Sequence, residues 1–178
     1  MAPQSRLLAL VGLLALAACT TAPDSSSALV AQSALTDAGG KAIGSAQIRQ
    51  SNTGLMLNAQ VSGLTPGQHG IHLHLIGKCE APGFASAGGH LNPAARQHGT
   101  MNASGPHLGD LPNIDVGADG NGTISASIPG PSPEVLAAIN DADGTAVVVH
   151  AGPDDYKTDP SGNSGGRIAC GVLSMTTN

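Results

Sequence analysis

Six of the seven histidines in this 178-residue chain fall at spacings that suit a metal ion. His72 and His74 stand two apart in the run His69-Gly-Ile-His-Leu-His, and on a strand residues i and i+2 point to the same face. Both imidazoles can then reach one ion from a rigid platform. His150 closes the β-branched run Ala146-Val-Val-Val and is placed to add a third ligand. His90, His98, His107 and Asp110 crowd into one glycine- and proline-rich stretch. Three imidazole nitrogens and one carboxylate oxygen suit tetrahedral zinc. A lone His-x-His is a weak signal, because alternation places polar pairs on strands by chance. The whole set carries the argument, since imidazole is the commonest metal ligand and the chain spends it almost nowhere else. Arg167, in Gly-Gly-Arg-Ile-Ala-Cys170, offers a fixed positive charge and a planar donor fork to a small anion.

The elements that must hold these groups are short. Gly occurs 25 times and Pro 12, while Phe and Tyr occur once each and Trp not at all. Turn chemistry on that scale belongs to many strands joined by loops rather than to a helix bundle. The core is left to Val, Ile, Leu and Ala. Alternating or β-branched patterns predict strands over 29–35, 45–50, 55–62, 70–76, 114–116, 123–128, 145–151 and 167–175, and one short helix over 133–139. The expected fold is all-β: a Greek-key antiparallel barrel or sandwich of about eight strands. Two segments, 77–113 and 152–166, are too long to be mere connectors, and they carry the candidate ligands, charges and glycines.

Residues 1–18 read as an export leader, with Arg6 as its positive region and Leu7–Ala18 as an apolar run too short to span a bilayer. Its end, Leu16-Ala-Ala-Cys19, resembles the lipobox of bacterial lipoproteins, which implies cleavage before Cys19 and a lipid on its sulfur. Residues 19–28 are small and polar and read as a tether, leaving 29–178 as the folded domain. With Cys19 lipidated, Cys79 and Cys170 remain. An exported compartment is oxidising, so this pair is expected to be a disulfide, the alternative being two free thiols. A net charge of −5 disfavours nucleic acid as a partner.

The motifs His-Gly-Ile-His-Leu-His74, Gly-His90-Leu-Asn-Pro, His107-Leu-Gly-Asp-Leu, Val-Val-His150-Ala-Gly and Gly-Gly-Arg167-Ile-Ala-Cys-Gly-Val together resemble the copper/zinc superoxide dismutases in their exported bacterial form. The resemblance covers 29–178. It implies copper on His72, His74, His90 and His150, and zinc on His90, His98, His107 and Asp110. His90 would be shared between the two ions. Arg167 resembles the arginine that meets the superoxide anion, and Cys79 and Cys170 resemble the intrachain disulfide of the family. Asp154, with Asp155 beside it, resembles the carboxylate that links a copper ligand to a zinc ligand. His69 resembles a structural histidine. Lys157 is a candidate for steering the anion, or simply a solvated lysine. Leu75 stands where many relatives carry an acidic residue.

The function implied is dismutation of superoxide to dioxygen and hydrogen peroxide, protecting the cell envelope from the periplasm. The anchor would be lipid on Cys19, with Thr20 favouring the outer membrane. The sequence leaves open a homodimer or a monomer, with the low aromatic content setting aside aromatic dimer contacts. Two other readings compete: a copper-buffering module without turnover, and an envelope protein that borrowed the fold. Storage needs neither Arg167 nor a shared His90, and a borrowed fold would have lost ligands.

Overall fold

The structure, a computed structural model, describes residues 27–176. The leader, Cys19 and most of the tether lie outside those residues. Ten antiparallel strands form one sheet: β1 (Ala28–Asp37), β2 (Ala42–Ser51), β3 (Gly54–Val61), β4 (Gly67–His69), β5 (Ile71–His74), β6 (Ile114–Val116), β7 (Gly122–Ile128), β8 (Ala146–His150), β9 (Arg167–Val172) and β10 (Ser174–Met175). The order is β4-β6-β7-β3-β2-β1-β9-β8-β5, with β10 on β1. The two end strands, β4 and β5, are separated in the chain only by Gly70, so the sheet curls into a nearly closed barrel. The jumps from β3 to β4 and from β7 to β8 are the crossovers a Greek key requires.

The expectation of about eight strands misses two. The Pro66-Gly67 turn signal hides the three-residue β4, which pairs with β6 at His69↔Ile114. The stretch predicted as a single strand over 167–175 breaks at Leu173, which turns inward and is buried. Strand pairing begins at Ala28, which meets Gln50.

Alternation builds the barrel interior. On β3, Leu55, Leu57, Ala59 and Val61 are buried, while Met56, Asn58 and Gln60 between them are not. On β2, Ile43, Ala46 and Ile48 face the same core. The predicted helix forms as α1 (Ser132–Ile139) and sets Val135 and Ile139, four apart, against that core.

β5 and β8 differ, since every residue of both is buried. Ile71, Leu73, Val147 and Val149 face the barrel core. His72, His74, Val148 and His150 face the other way, under the two long loops. The first loop is knitted to β5 by backbone bonds: Leu73 N donates to Gly109 O at 3.0 Å, Leu91 N to Leu73 O at 2.8 Å, and Leu75 N to Gly89 O at 3.0 Å. It thereby covers an edge strand that would otherwise present unpaired groups. Gly109 is required at this seam, because a Cβ there would sit 2.2 Å from Leu73 O.

Candidate metal centre

His72 and His74 project from β5 toward the loops, as strand alternation dictates, and His150 projects from the end of the neighbouring β8. The first loop returns His90 to this face through a bridge to His74, and Asp110 through a bridge to His72. Two donor groups result, His72–His74–His90–His150 and His90–His98–His107–Asp110, each with its ligand atoms within 4.8 Å of one another. All seven side chains predicted from spacing are brought together.

The hydrogen bonds sort the ring nitrogens. His74 Nδ1 donates to Gly88 O at 3.0 Å and His150 Nδ1 to Gly165 O at 3.2 Å, which leaves Nε2 of each free. His72 is the reverse: its Nε2 donates to Asp154 Oδ2 at 2.7 Å and its Nδ1 is free. These three atoms and His90 Nε2 are buried without a hydrogen-bond partner. An orphaned buried polar atom costs about 1–3 kcal/mol. Several of them grouped together fit donors reserved for an ion.

The mixed group converges on one oxygen. His90 Nδ1 lies 2.8 Å from Asp110 Oδ1, His98 Nδ1 3.0 Å and His107 Nδ1 3.2 Å. Ligands at zinc-like bond lengths in a tetrahedron stand roughly 3.3 Å apart, so little movement would admit the metal. The second carboxylate oxygen, Oδ2, accepts the backbone N–H groups of Gly99 at 2.8 Å and His107 at 3.0 Å. His90 thus faces the mixed group with Nδ1 and the all-imidazole group with Nε2, as a shared ligand must.

Asp154 links the groups a second time. It accepts from His72 Nε2 through Oδ2 and from His98 Nε2 through Oδ1, at 2.7 and 2.9 Å. Asp155 beside it is exposed and instead caps its own loop through Lys157 N and Thr158 N. Burial opposes both carboxylates. Hydrogen bonds from His90 and His98 to Asp110, and from His72 and His98 to Asp154, outweigh it and hold both well below the usual range.

The imidazoles divide by environment. Burial pushes His72 down to about 3, His74 to about 2 and His150 to about 4. His90 is also lowered, chiefly by burial. For His98 burial is outweighed by Asp110 and Asp154, which raise it to about 9. His69 ligates nothing: it is buried, with Nδ1 2.8 Å from His150 O and Nε2 2.9 Å from Thr65 O.

Arg167 opens β9 and lines a pocket with His74, Leu75, His90, Asn92, His107 and His150, and with Pro160, Ser161 and Gly165 of the second loop. Its Nη1 donates to Phe84 O at 2.6 Å and its Nη2 to Gly88 O at 2.5 Å. Leu75 stands in the pocket wall, as its place beside His74 suggests. Lys157 is exposed and is not part of that wall. Cys79 and Cys170 are disulfide-bonded, with Cα atoms 5.6 Å apart. They tie the first loop to β9, the strand that carries Arg167.

Sequence reading missed the residues that hold the ligands in place. Asn113 clamps Asp154 from both sides, accepting from its N–H at 2.8 Å and donating to its carbonyl at 2.9 Å. Tyr156 OH accepts from Asn113 N at 2.8 Å. The carbonyls of Phe84, Gly88 and Gly165 are backbone atoms, which no side-chain pattern reveals.

A family model described as copper/zinc superoxide dismutase (SODC) matches residues 42–173, which include both donor groups, Arg167 and the disulfide. The chain belongs to that family. Among its superoxide dismutase relatives, superoxide dismutase (Cu-Zn) 1 of Aquifex aeolicus is 42% identical over 139 residues, covering 75% of this chain and 81% of the relative. The superoxide dismutase-like protein YojM of Bacillus subtilis is 44% identical over 138 residues, covering 75% and 70%. The crystal structure of a SOD-like protein from Bacillus subtilis aligns with TM-score 0.77 and 42% identity, over 83% of this chain and 100% of the other. The all-β barrel, the disulfide and histidine clusters able to hold metal ions therefore stand in a dismutase frame.

Proposed function

We propose that this protein dismutates superoxide at the all-imidazole group, holding copper there and zinc in the mixed group. The observation that carries the reading is the single pocket in which Arg167 meets His74, His90 and His150. Imidazole suits copper in both oxidation states, whereas the closed N3O group suits a zinc of structural and electrostatic role. When bound, copper supplies the one-electron cycle by which one superoxide gives up an electron as dioxygen and another takes it up, with two protons, as hydrogen peroxide.

The chain's own residues do the rest. Gly88 O, Gly165 O and Asp154 fix the tautomers of His74, His150 and His72, so the ligating nitrogens are bare at neutral pH. Arg167 keeps its charge despite partial burial and presents it in the pocket to a small anion. That local field must oppose the net charge of −5, and a narrow cleft focuses it.

Location belongs to the same proposal. The Cys79–Cys170 disulfide supports an oxidising compartment. With Leu16-Ala-Ala-Cys19 it supports a lipid-anchored protein of the cell envelope, guarding it against superoxide from the periplasmic side. Membrane fractionation of wild type against Cys19→Ser tests the anchor, and a variant that stays in the membrane fraction would refute it.

The deciding experiment measures copper, zinc and superoxide consumption on one preparation of the mature chain. One of each metal per chain with fast turnover is expected. In Arg167→Ala, activity should fall about ten-fold or more while copper content holds. Equal loss of both would remove the anion-binding role from Arg167. Full loading of the wild type without turnover would make the protein a copper-holding module.

A further inference from the structure

Phe84 is the only phenylalanine of the chain, and nearly every other core side chain is aliphatic or small. It stands 1% exposed outside the barrel, in a separate small cluster with Ala87, Ala146, Val148, Cys170 and Cys79. Its backbone is left-handed, with φ 52° and ψ 27°. A bulky residue adopts that conformation only where its surroundings over-determine it. Its carbonyl accepts Arg167 Nη1 at 2.6 Å and begins the short 3-10 turn Ala85–Ala87. That turn ends at Gly88, whose carbonyl takes Arg167 Nη2 at 2.5 Å and His74 Nδ1 at 3.0 Å. Both oxygens that aim the guanidinium thus lie on one turn. The largest side chain anchoring that turn is the Phe84 ring, packed beside the disulfide.

We infer that Phe84 is a positioning residue for anion binding: its buried ring seats the 84–88 turn, whose carbonyls orient Arg167 toward the pocket. The inference rests on the reading of Arg167 as the anion-binding group. The disulfide alone leaves slack, because four residues separate Cys79 from Phe84 and the turn begins only beyond them. The ring takes up that slack. A side-chain substitution leaves the carbonyl in the chain but frees it to move, so the arginine loses direction rather than charge.

The test is azide affinity of the copper- and zinc-loaded protein, read by absorption, in the graded series Phe84→Leu, Phe84→Val and Phe84→Gly. Glycine adopts the observed φ freely, so it removes the ring without adding backbone strain. The series stays readable if the glycine variant does not fold. Azide affinity should fall stepwise, by about ten-fold at the smallest folded side chain, the worth of one charge-assisted hydrogen bond. Gly88 O also holds His74 Nδ1, but the other three members of that group lie outside the 84–88 turn, so metal contents after loading with excess copper and zinc should stay those of the wild type. In the metal-free protein, Arg167 should react faster with phenylglyoxal in the same order, read by peptide mass spectrometry. Val148→Ala, which removes volume from the same small cluster but not from the turn, should leave both readouts unchanged. Wild-type azide affinity in the series, or an equal loss in Val148→Ala, would overturn the inference. Arg167→Ala with wild-type azide affinity would instead overturn the arginine reading beneath it.

Discussion

An imidazole has two nitrogens, and this protein assigns each of them separately. His72, His74, His98 and His150 each give one nitrogen to a protein oxygen and keep the other for an ion. His90 gives neither away outside the centre, because each of its nitrogens faces a different donor group. His90→Ala should therefore lower the stoichiometry of both metals, whereas His107→Ala should lower zinc alone; metal analysis after dialysis checks both. The shifted acidities make a second prediction. His98, raised to about 9, carries a proton at pH 7 that zinc must displace. His72, His74 and His150, lowered to about 3, 2 and 4, carry none. Loading the mixed group at pH 7 should release about one proton more than loading the all-imidazole group, and the excess should fade as pH rises through about 9. Calorimetry in buffers of different ionisation enthalpy measures it. The members of both donor groups were legible as residue types at informative spacings. Which nitrogen of each ring points at the ion was not, because the partners that decide it include the carbonyls of Gly88 and Gly165, which carry no sequence signature.

Strands and loops differ in how plainly they can be read. Period-2 alternation announces β2 and β3 because one face of each meets solvent. On β5 and β8 it fails, since the outer face is roofed by loops and every residue is buried. The loops were recognisable as functional from length and composition, but not how tightly they fit. Gly162 shows the difference. It has φ +65°, and a Cβ there would sit 1.8 Å from Asp154 Oδ1 and 2.7 Å from His98 Nε2. Gly162→Ala should therefore break the hydrogen bond between the two and weaken metal affinity by about ten-fold or more without changing a ligand. Chelator competition reads the loss, and an unchanged affinity would show that the second loop yields to the added methyl group.

Across the whole molecule, the disulfide closes a long circuit of chain, a sequence separation of 91 residues, around the first loop and β8. Replacing both cysteines by serine should cost about 2–5 kcal/mol in chemical denaturation, with most of the loss in the folded state's advantage over a less constrained unfolded chain. Cys79 and Cys170 were readable as a pair by count once Cys19 was set aside, but their proximity to Arg167 needed the pairing of β8 with β9.

The two donor groups also differ in what must happen before they exist. Residues 90–110 hold every member of the mixed group, so closing one loop assembles it. The all-imidazole group needs β5 to find β8, with His72 opposite Val148, far apart in the sequence. Local closure is fast and distant strand pairing is slow. A chain leaving the unfolded state would thus be able to assemble the mixed group while the members of the all-imidazole group are still scattered, and would complete the second group only as the barrel closes. His90, common to both groups, would then join an early assembly through one nitrogen and a late one through the other.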